Sequence, residues 1–399
     1  MDKRTKRHFS TICTRENHNI ENGSPHILPL YASSAFSYSN IDGSIEVFSG
    51  QKKGYVYSRY GNPTVTSVQN KLAELETIDI NEEGFCIMTS SGMSAISTLA
   101  SSQLKSGDAL LTSTNLYGGT SEVFSKVLSR NGVELIHVDL KDEAAITDIL
   151  DTHPHIKMLY FETPSNPVLS CIDIEMVVRK AKAKNILTAI DNTFATCYIQ
   201  RPLTIGVDFV IYSTTKFLNG HGNSIAGAII GTNKQHHDNI WTHMKLLGTN
   251  CSPFEAWLVH NGLKTLPLRM EKHCHNAMSL ANYLEKHPKV KKVNYPGLEN
   301  FADHNIAQKQ MSQYGGMLSF EIDGDINDAK RFMDNTQICS ITSTLGNTDT
   351  LLLHPATSSH LNIDPEIRTS NGISDGLIRV SVGIEDINDL IEDFDMGLL

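Results

Sequence analysis

The sequence predicts an α/β protein with a mostly parallel central sheet, followed by a smaller α+β region. Between residues 61 and 260, short apolar runs alternate with segments of helical periodicity, which is typical of strand–helix–strand units. Several runs, such as residues 209–212, are apolar throughout rather than alternating, as expected of parallel strands covered on both faces. After about residue 260 this alternation stops, which indicates a second region of different architecture.

The elements are predicted in chain order. The first predicted helix carries four apolar residues on one face, Val65, Val68, Leu72 and Leu75. Strand candidates then follow at residues 85–88, 109–111, 134–138, 158–161, 187–190, 209–212 and 226–230. In the second region we expect a long helix over residues 268–284, strands over 317–321 and 377–382, and a last helix carrying Ile387, Leu390, Ile391 and Phe394.

This pattern divides the chain into three parts. Residues 1–60 are irregular and rich in Ser, Tyr, Asn and Gly, which predicts an arm that either frays or wraps a neighbouring subunit. The end of this arm, residues 54–64, is too aromatic for a disordered tail. Residues 61–260 are expected to form the α/β domain, and residues 261–399 the smaller α+β domain.

Composition restricts the class of protein. The chain has 399 residues, of which 40% are hydrophobic and 20% charged, as in an ordinary globular protein. A formal net charge of −10 argues against nucleic acid or an anionic membrane as partner. We expect no membrane span, because no run of about 18 apolar residues exists.

Cysteine usage and the start of the chain bear on the compartment. Seven scattered cysteines without a C-x-x-C motif predict free thiols and a reducing compartment, the cytoplasm. The basic start is not followed by an apolar segment, so a secretory signal is not expected, whereas a short organellar segment stays open.

Five polar segments follow predicted strands, at residues 90–93, 117–120, 162–166, 191–193 and 213–216. In an open α/β sheet, ligands bind beyond the carboxyl ends of the strands. Because all five segments lie at such ends, we expect them to meet in one site.

Lys216 is the central candidate of this site. It follows a buried strand and stands among hydroxyls and glycines. Lysine is rarely buried because desolvating an ammonium group is costly, and a buried lysine that loses its proton is a nucleophile. Pyridoxal phosphate is a cofactor that uses such an amine, as a Schiff base, and also needs hydroxyl donors for its phosphate.

Asp191 ends the preceding strand and has two possible roles. Its carboxylate could pair with the nitrogen of a pyridinium ring through a charge-assisted hydrogen bond. Alternatively, Asp191 is a turn-forming or helix-capping residue at the end of a strand.

A phosphate could be bound where a helix begins. Gly92 and Met93 open a helix, so their N–H groups lie at its positive end, and Ser213 and Thr215 alternate on one side of a strand end. The alternative is an ordinary helix capped by Ser91. Tyr117 stands between a strand and two glycines, where it either stacks on an aromatic ligand or is an ordinary strand-end tyrosine.

Arg379 lies in an otherwise apolar strand, so its buried guanidinium needs an anion. An α-carboxylate suits its planar fork, and the alternative is an ion pair with a carboxylate of the protein. No metal site is expected at His273, Cys274 and His275, because adjacent helical residues point apart. A dinucleotide oxidoreductase is disfavoured because residues 220–227 match its glycine fingerprint poorly.

With these residues in this order, the chain resembles the trans-sulfuration family of pyridoxal-phosphate enzymes. This family includes cystathionine γ-lyase, cystathionine γ-synthase, methionine γ-lyase and O-acetylhomoserine sulfhydrylase. The likeness runs from about Ser34 to the C-terminus. It rests on residues 57–64 (YSRYGNPT), 91–93 (SGM), 162–167 (ETPSNP), 191–193 (DNT), 215–216 (TK) and 378–383 (IRVSVG).

The resemblance implies the aspartate-aminotransferase-like fold, fold type I, and a role for each matched residue. Lys216 would be the Schiff-base lysine and proton shuttle, Asp191 the partner of the pyridine nitrogen, and Tyr117 the stacking residue that helps the leaving group depart. The phosphate would be bound by Ser91, Gly92, Met93, Ser213 and Thr215. The substrate would be bound by Arg379, Asn166, Thr344 and Tyr117.

The resemblance also implies an oligomer. Tyr57 and Arg59 would reach the phosphate in a neighbouring subunit, so the active unit would be a dimer, usually paired into a homotetramer. The remaining partner would be a small amino-acid substrate.

The reaction implied is γ-elimination from a cystathionine-, methionine- or homocysteine-type L-amino acid, which gives a 2-oxo acid, ammonia and a thiol. The alternative is γ-replacement on O-acetyl- or O-succinylhomoserine. Methionine γ-lyases typically carry cysteine two residues after the stacking tyrosine, and this chain has Gly119. His354, Pro355 and Ala356 resemble methionine γ-lyases and sulfhydrylases instead, so the two features conflict. A catalytically silent scaffold would be expected to lose Lys216, Asp191 or Arg379, and all three are present.

Overall fold

The apolar runs between residues 85 and 231 form one seven-stranded sheet in a computed structural model, which describes residues 7–15, 23–361 and 365–399. Its strands are β1 (Phe85–Thr89), β2 (Ala109–Ser113), β3 (Glu134–Val138), β4 (Ile156–Glu162), β5 (Leu187–Asp191), β6 (Phe209–Ser213) and β7 (Gly227–Gly231). Their order across the sheet is β1-β7-β6-β5-β4-β2-β3. β7 is antiparallel to β1 and β6, and every other neighbouring pair is parallel. The predicted, mostly parallel central sheet is confirmed.

The strands are apolar throughout because both faces of the sheet are covered. In β6, Phe209 and Ile211 pack into one apolar cluster, whereas Val210 and Tyr212 pack into another on the opposite face. With no face left to water, the sequence has no reason to alternate polar and apolar residues.

Helices cover both faces of this sheet. The helices that precede the second sheet are α1 (Phe9–Thr14), α2 (Ile41–Phe48), α3 (Pro63–Glu76), α4 (Gly92–Gln103), α5 (Gly118–Val123), α6 (Glu143–Thr152), α7 (Ile174–Lys182), α8 (Thr196–Ile199), α9 (Lys234–Leu247) and α10 (Pro253–Leu263). α4 and α9 pack on the face that carries Phe209, and α3 and α7 pack on the opposite face. The predicted first helix is α3, in which Val68, Leu72 and Leu75 are fully buried.

A second sheet follows in the chain, with the order β10-β11-β12-β9-β8. Its strands are β8 (Val290–Asn294), β9 (Met317–Ile322), β10 (Ser340–Ile341), β11 (Leu351–Leu353) and β12 (Leu377–Ser381). The helices of this part are α11 (Leu266–Glu285), α12 (His304–Gln310), α13 (Ile326–Asn335), α14 (Pro365–Ser370) and α15 (Ile387–Leu398). Four of these elements, α11, β9, β12 and α15, were predicted, and the bounds expected for the first three agree with the observed ones to within two residues.

One continuous apolar cluster joins the two sheets, from α3 to α15. The division of the chain near residues 60 and 260 therefore stays a prediction. Residues 1–6, which carry most of the basic start considered for a targeting segment, lie outside the described part of the chain. None of the helices that the structure describes is long and apolar enough to cross a bilayer.

The direction of the strands decides where a ligand can bind. All strands of the larger sheet except β7 run the same way, so they end at one edge. At that edge Thr89 and Ser213 both pair with Gly227, the first residue of β7, and Glu162 pairs with Asp191. Polar side chains from distant parts of the sequence meet there, as predicted.

The smaller sheet is anchored by three mutually packed rings. Phe320, Phe332 and Phe394 are buried, with centroid separations of 5.3 to 5.9 Å.

Phe394→Ala is expected to lower the free energy of unfolding by about 3–5 kcal/mol, because it removes a buried ring and leaves a cavity. Chemical denaturation measures this loss. Met396→Ala on the same helix is the control and should change stability by about 0.5 kcal/mol or less, since Met396 is exposed.

Candidate active site

A cavity of about 270 Å³ opens at the carboxyl edge of the larger sheet. Residues from all five predicted segments contribute to it, together with residues of the smaller sheet. Of the predicted site residues, its lining includes Ser91, Gly92, Met93, Tyr117, Asn166, Asp191, Ser213, Thr215, Lys216 and Arg379. Thr344 adjoins the cavity through a hydrogen bond to Lys216. The structure therefore brings together residues that are almost 300 positions apart in the chain.

Lys216 lies just beyond β6, in a tight turn. Its Nζ donates to Thr344 Oγ1 at 2.9 Å, and its carbonyl accepts from the N–H of Gly220 at 2.8 Å. Burial, and secondarily the positive charge of Arg379, lower the pKa of Lys216 to about 8. A larger fraction of this amine is therefore neutral near pH 7 than for an exposed lysine.

A buried arginine holds the segment after Lys216 in place. Arg269, on α11, donates to the carbonyls of Phe217 at 2.7 Å, Leu218 at 3.3 Å and Gly262 at 2.8 Å. This contact joins the helix that follows the larger sheet to the lysine turn. Arg269 was not predicted, because its position in a helical segment carries no signal of this contact.

Asp191 forms the strand-end turn that was one of its two predicted roles, and its pairing with a pyridinium nitrogen stays a prediction. Its Oδ1 accepts the N–H of Thr193 at 2.9 Å, which is a strand-end turn, and the residue also lines the cavity. Burial raises the pKa of Asp191, and the hydrogen bonds from Thr193 oppose this shift.

Glu162 opens the predicted segment 162–166, but the sequence analysis gave it no role of its own. It ends β4, directly opposite Asp191 in the register of the two strands, and lines the cavity. Both of its carboxyl oxygens lie 3.1 Å from the N atom of Tyr117 and accept its N–H. Burial, and then the charge of Asp191, raise the pKa of Glu162 to about 8. Its position at a strand end was a usable signal.

The start of α4 forms a cradle at this edge of the sheet. Ser91 caps the helix by accepting the N–H of Ser94 at 3.0 Å, and the first bond within the helix comes from Ala95. The N–H groups of Gly92 and Met93 therefore precede the helical hydrogen-bond pattern, where an anion is favoured. The helix-cap alternative and the anion-site prediction describe the same geometry.

Close packing explains why a glycine opens this helix. A Cβ atom at Gly92 would lie 2.8 Å from Cβ of Ser213, so no larger residue fits beside the strand end. The Thr215 hydroxyl is tied to the start of the neighbouring strand, since it donates to the Ala226 carbonyl at 3.2 Å and accepts its N–H at 3.1 Å. Both hydroxyl-bearing residues thus line the cavity next to the helix end.

Arg379 reaches the cavity from β12 of the smaller sheet. It donates to Asn166 Oδ1 at 3.1 Å and to the Thr344 carbonyl at 3.0 Å, while its Nε has no hydrogen-bond partner among the described residues. Burial lowers its pKa to about 10. Within the described part of the chain no carboxylate forms an ion pair with Arg379, which disfavours the structural-pair alternative. The guanidinium is therefore available to an anion in the cavity.

Tyr117 lies at the mouth of the cavity. The residue is 46% exposed, and its position is set by the bond from its N–H to Glu162. A Cβ atom at Gly119 would lie 2.7 Å from Cε1 of the Tyr117 ring, so a side chain at this position would force the ring to move.

Tyr57 and Arg59 lie elsewhere in this chain. They belong to a separate region, in which Arg59 donates to the Lys245 carbonyl and lies 4.9 Å from the ring centroid of Tyr60. Arg59 lines a second cavity of about 540 Å³ and not the one around Lys216. Their predicted role concerned a neighbouring subunit, and within one subunit they stay apart from the lysine.

The histidine-rich segment of α11 has an ordinary structural role. His273 is buried, its Nδ1 lies 2.7 Å from the Val382 carbonyl, and its ring packs edge-on against Phe217. Over residues 7–15, 23–361 and 365–399, no three His, Cys, Asp or Glu side chains are grouped as metal ligands would be.

Comparison with known proteins gives a consistent result. The family model described as Cys/Met metabolism PLP-dependent enzyme matches residues 10–399. An L-methionine gamma-lyase of Fusobacterium nucleatum subsp. polymorphum is 40% identical over 93% of each chain. An O-succinylhomoserine sulfhydrylase of Pseudomonas aeruginosa is 38% identical, covering 98% of this chain and 95% of the relative. The crystal structure of a cystathionine gamma synthase from Xanthomonas oryzae pv. oryzae superposes with a TM-score of 0.92 at 34% identity, covering 99% of this chain and 98% of that one.

The lowered pKa of Lys216 can be measured without substrate turnover. In cofactor-free protein, the rate at which trinitrobenzenesulfonate modifies Lys216 should rise with pH through an inflection near 8, because only the neutral amine reacts. Peptide mapping by mass spectrometry follows the modification. Arg379→Met should move the inflection to higher pH, since a neighbouring positive charge is removed. The exposed Lys126 is the internal control, and an inflection of Lys216 at the same pH as Lys126 would contradict the prediction.

Proposed function

Because the chain belongs to the family of Cys/Met metabolism PLP-dependent enzymes, we propose that it catalyses γ-elimination from a sulfur-containing L-amino acid. The substrate would be of the cystathionine, methionine or homocysteine type, and the products a 2-oxo acid, ammonia and a thiol. The observation that carries this proposal is the pairing, in one cavity, of a lysine with lowered pKa and a buried arginine that no carboxylate of the described residues neutralises.

Pyridoxal phosphate fits the residues of the cavity. The start of α4 offers N–H groups of Gly92 and Met93 to the phosphate, next to the hydroxyls of Ser91, Ser213 and Thr215. Asp191 offers a carboxylate to the ring nitrogen, and Tyr117 offers an aromatic face. When bound, the cofactor supplies an electron sink for the negative charge that develops at the substrate Cα.

Lys216 is proposed to move the protons. Its lowered pKa makes the neutral amine accessible near neutral pH, as a base for the Cα proton requires. The hydrogen bond to Thr344 holds Nζ at the side of the cavity where Arg379 also makes contact with Thr344. The base and the carboxylate-binding group are thus oriented by one short segment of the chain.

Arg379 is proposed to hold the substrate α-carboxylate. Two of its nitrogens are already oriented by Asn166 and Thr344, so the guanidinium plane is set before substrate binds. A substrate carboxylate would satisfy the remaining donors and offset the burial of the charge. Tyr117, at the mouth, is proposed to help the γ-substituent to leave.

A second subunit is proposed to complete the site. Tyr57 and Arg59 lie outside the cavity of their own chain, at the end of an arm with exposed apolar side chains. Ile41, Ile45 and Phe48, on one face of α2, are among these exposed residues. Coverage of this face by another subunit would bring Arg59 towards the phosphate of that subunit, in a dimer that pairs into a homotetramer.

The proposed compartment is the cytoplasm. All seven cysteines are free and buried, and burial raises the pKa of thiols such as Cys13 and Cys171, each to about 12. Thiols of this kind stay protonated and unreactive, in keeping with a reducing environment.

Replacement at Cγ is the second candidate reaction. It is supported by the relative named as an O-succinylhomoserine sulfhydrylase and by the cystathionine gamma synthase with the same fold. Gly119 also favours it, because this position is typically a cysteine in methionine γ-lyases. Elimination stays our first proposal, because the relatives named as methionine gamma-lyases are at least as similar.

An assay panel decides between the two reactions. Methionine, cystathionine, homocysteine, O-acetylhomoserine and O-succinylhomoserine are offered with and without sulfide or cysteine. Elimination predicts release of 2-oxobutanoate from a sulfur-containing substrate without any acceptor. Strict dependence on sulfide or cysteine, with no 2-oxo acid in their absence, would establish replacement instead. Lys216→Ala is the control and should abolish turnover.

Loss of the arginine should act on substrate binding. Arg379→Met is expected to raise KM by roughly 100-fold, equivalent to about 3 kcal/mol, because charge-assisted hydrogen bonds to the carboxylate are lost. Steady-state kinetics measures this change. Arg179→Met removes an exposed arginine paired with Glu143 and serves as the matched control, with unchanged KM. An unaltered KM in Arg379→Met would move the carboxylate site elsewhere.

Sharing of the site between subunits can be tested by complementation. Arg59→Ala and Lys216→Ala should each be inactive alone. When both chains are expressed together, about half of the dimers are hybrids, and one of the two sites in each hybrid has both native residues. We expect recovery of about a quarter of the native activity per mole of chain. Absence of any recovery would show that Arg59 serves its own chain.

A further inference from the structure

Two carboxyl groups stand side by side at the end of the larger sheet. Glu162 and Asp191 are the last residues of the parallel neighbours β4 and β5, and they are directly opposite each other in register. Both line the cavity around Lys216, and Glu162 is only 7% exposed. Their side chains therefore share one poorly hydrated space.

Among the described residues, neither carboxyl group has a cation to balance it. No lysine, arginine or histidine in this part of the chain forms an ion pair with Glu162 or Asp191. Their hydrogen bonds come from neutral donors, the N–H of Tyr117 and the N–H of Thr193. Charging both carboxyl groups would cost much free energy, because each is buried, the two repel each other and no cation balances them. The pair therefore retains one proton.

The proton belongs on Glu162 for two reasons. Aspartic acid is intrinsically the stronger acid of the two types. The Thr193 hydrogen bonds also favour the charged form of Asp191, and the resulting negative charge is one of the causes that raise the pKa of Glu162. Below about pH 8, Glu162 is thus neutral while Asp191 is charged.

We propose that Glu162 is a positioning residue that keeps the single proton of this pair of carboxyl groups. Asp191 is then the only charged member of the pair, and Glu162 holds Tyr117 in place by accepting its N–H. This inference rests on the proposed function and deepens it. A neutral Glu162 leaves one negative charge at the sheet edge to pair with a pyridine nitrogen. Ionisation of Glu162 would add a second negative charge beside Asp191. The hydrogen bond from the N–H of Tyr117 favours the charged form of Glu162, but burial and the charge of Asp191 outweigh it and raise the pKa.

Other ionisable groups also face this pair. Tyr160 precedes Glu162 on β4 by two residues, is fully buried, and its pKa is raised well above the usual range, so it stays neutral. Lys216, just beyond β6, and Arg379, on β12, line the same cavity, and burial lowers the pKa of each. None of these groups supplies an ion pair to Glu162, so the shared proton is the remaining way to neutralise one carboxyl.

Infrared spectroscopy of the full-length protein freed of cofactor tests the proton directly. A protonated carboxyl group has a carbonyl stretching band distinct from that of a carboxylate. The difference spectrum between the native protein and Glu162→Gln should contain this band at pH 6.5, and the band should vanish with a midpoint near pH 8. If Glu162→Gln removes no such band, Glu162 is ionised and the proposal is overturned.

The coupling to Asp191 has its own test and control. Asp191→Asn removes the neighbouring charge and should move the midpoint of the Glu162 band to lower pH by roughly one unit. Glu76 is a matched control, because it is a buried carboxyl whose pKa is also raised to about 8, with Tyr212 as hydrogen-bond partner instead of Asp191. Its band, identified with Glu76→Gln, should not respond to Asp191→Asn. A Glu162 midpoint that also stays fixed would overturn the shared proton.

Conservative and non-conservative variants separate charge from structure. Glu162→Gln mimics the neutral acid and still accepts the N–H of Tyr117, so it should bind pyridoxal phosphate within about threefold of the native affinity. We expect the affinity of the native protein to change above about pH 8, where Glu162 ionises, and Glu162→Gln should lack this change. Glu162→Ala should bind at least tenfold more weakly, since the Tyr117 N–H loses its acceptor. Equal weakening in both variants would overturn the proposal.

These measurements distinguish the inference from the proposed function. The infrared bands are recorded without substrate or cofactor, so they report on the pair even if the assay panel identifies another reaction. Failure of the native protein to bind pyridoxal phosphate would overturn the proposed function. The infrared bands would still show whether Glu162 carries the proton.

Discussion

Burial of charge at one edge of the larger sheet governs how the functional groups of this protein are arranged. Lys216 and Arg379 have pKa values lowered to about 8 and about 10, while the pKa of Glu162 is raised to about 8. All three shifts favour the neutral form, because the surroundings of the cavity replace water poorly. Such displaced pKa values are typical of sites that handle protons, and here they occur in one cavity.

Residues of the smaller sheet and its loops contact the functional groups at this edge. β12 delivers Arg379, and the segment between β10 and β11 delivers Thr344, which contacts both Lys216 and Arg379. In the opposite direction, Arg269 from α11 holds the carbonyls that follow Lys216. The two sheets therefore position each other's functional groups, and the apolar cluster they share makes this arrangement rigid.

The site can therefore be described as two halves with different tasks. The strand ends of the larger sheet carry the groups proposed for the cofactor, the helix start at Gly92 and the carboxylate of Asp191. The smaller sheet carries the group proposed for the substrate carboxylate, Arg379. Glu162 stands between the halves, because it neighbours Asp191 in the sheet and holds the N–H of Tyr117 at the mouth.

The class of fold and most of the site follow from the amino-acid sequence alone. Runs that are apolar throughout are typical of strands covered on both faces, and polar residues at their ends meet when the strands run in parallel. Lys216, Asp191 and Arg379 were predictable because each is a charged residue in an apolar context, which is a local signal. The roles of Glu162 and Arg269 emerge in three dimensions instead. The strand-end position of Glu162 is a local signal, but its role depends on its register with Asp191, which no local pattern encodes. Arg269 likewise contacts carbonyls about 50 positions away in the chain.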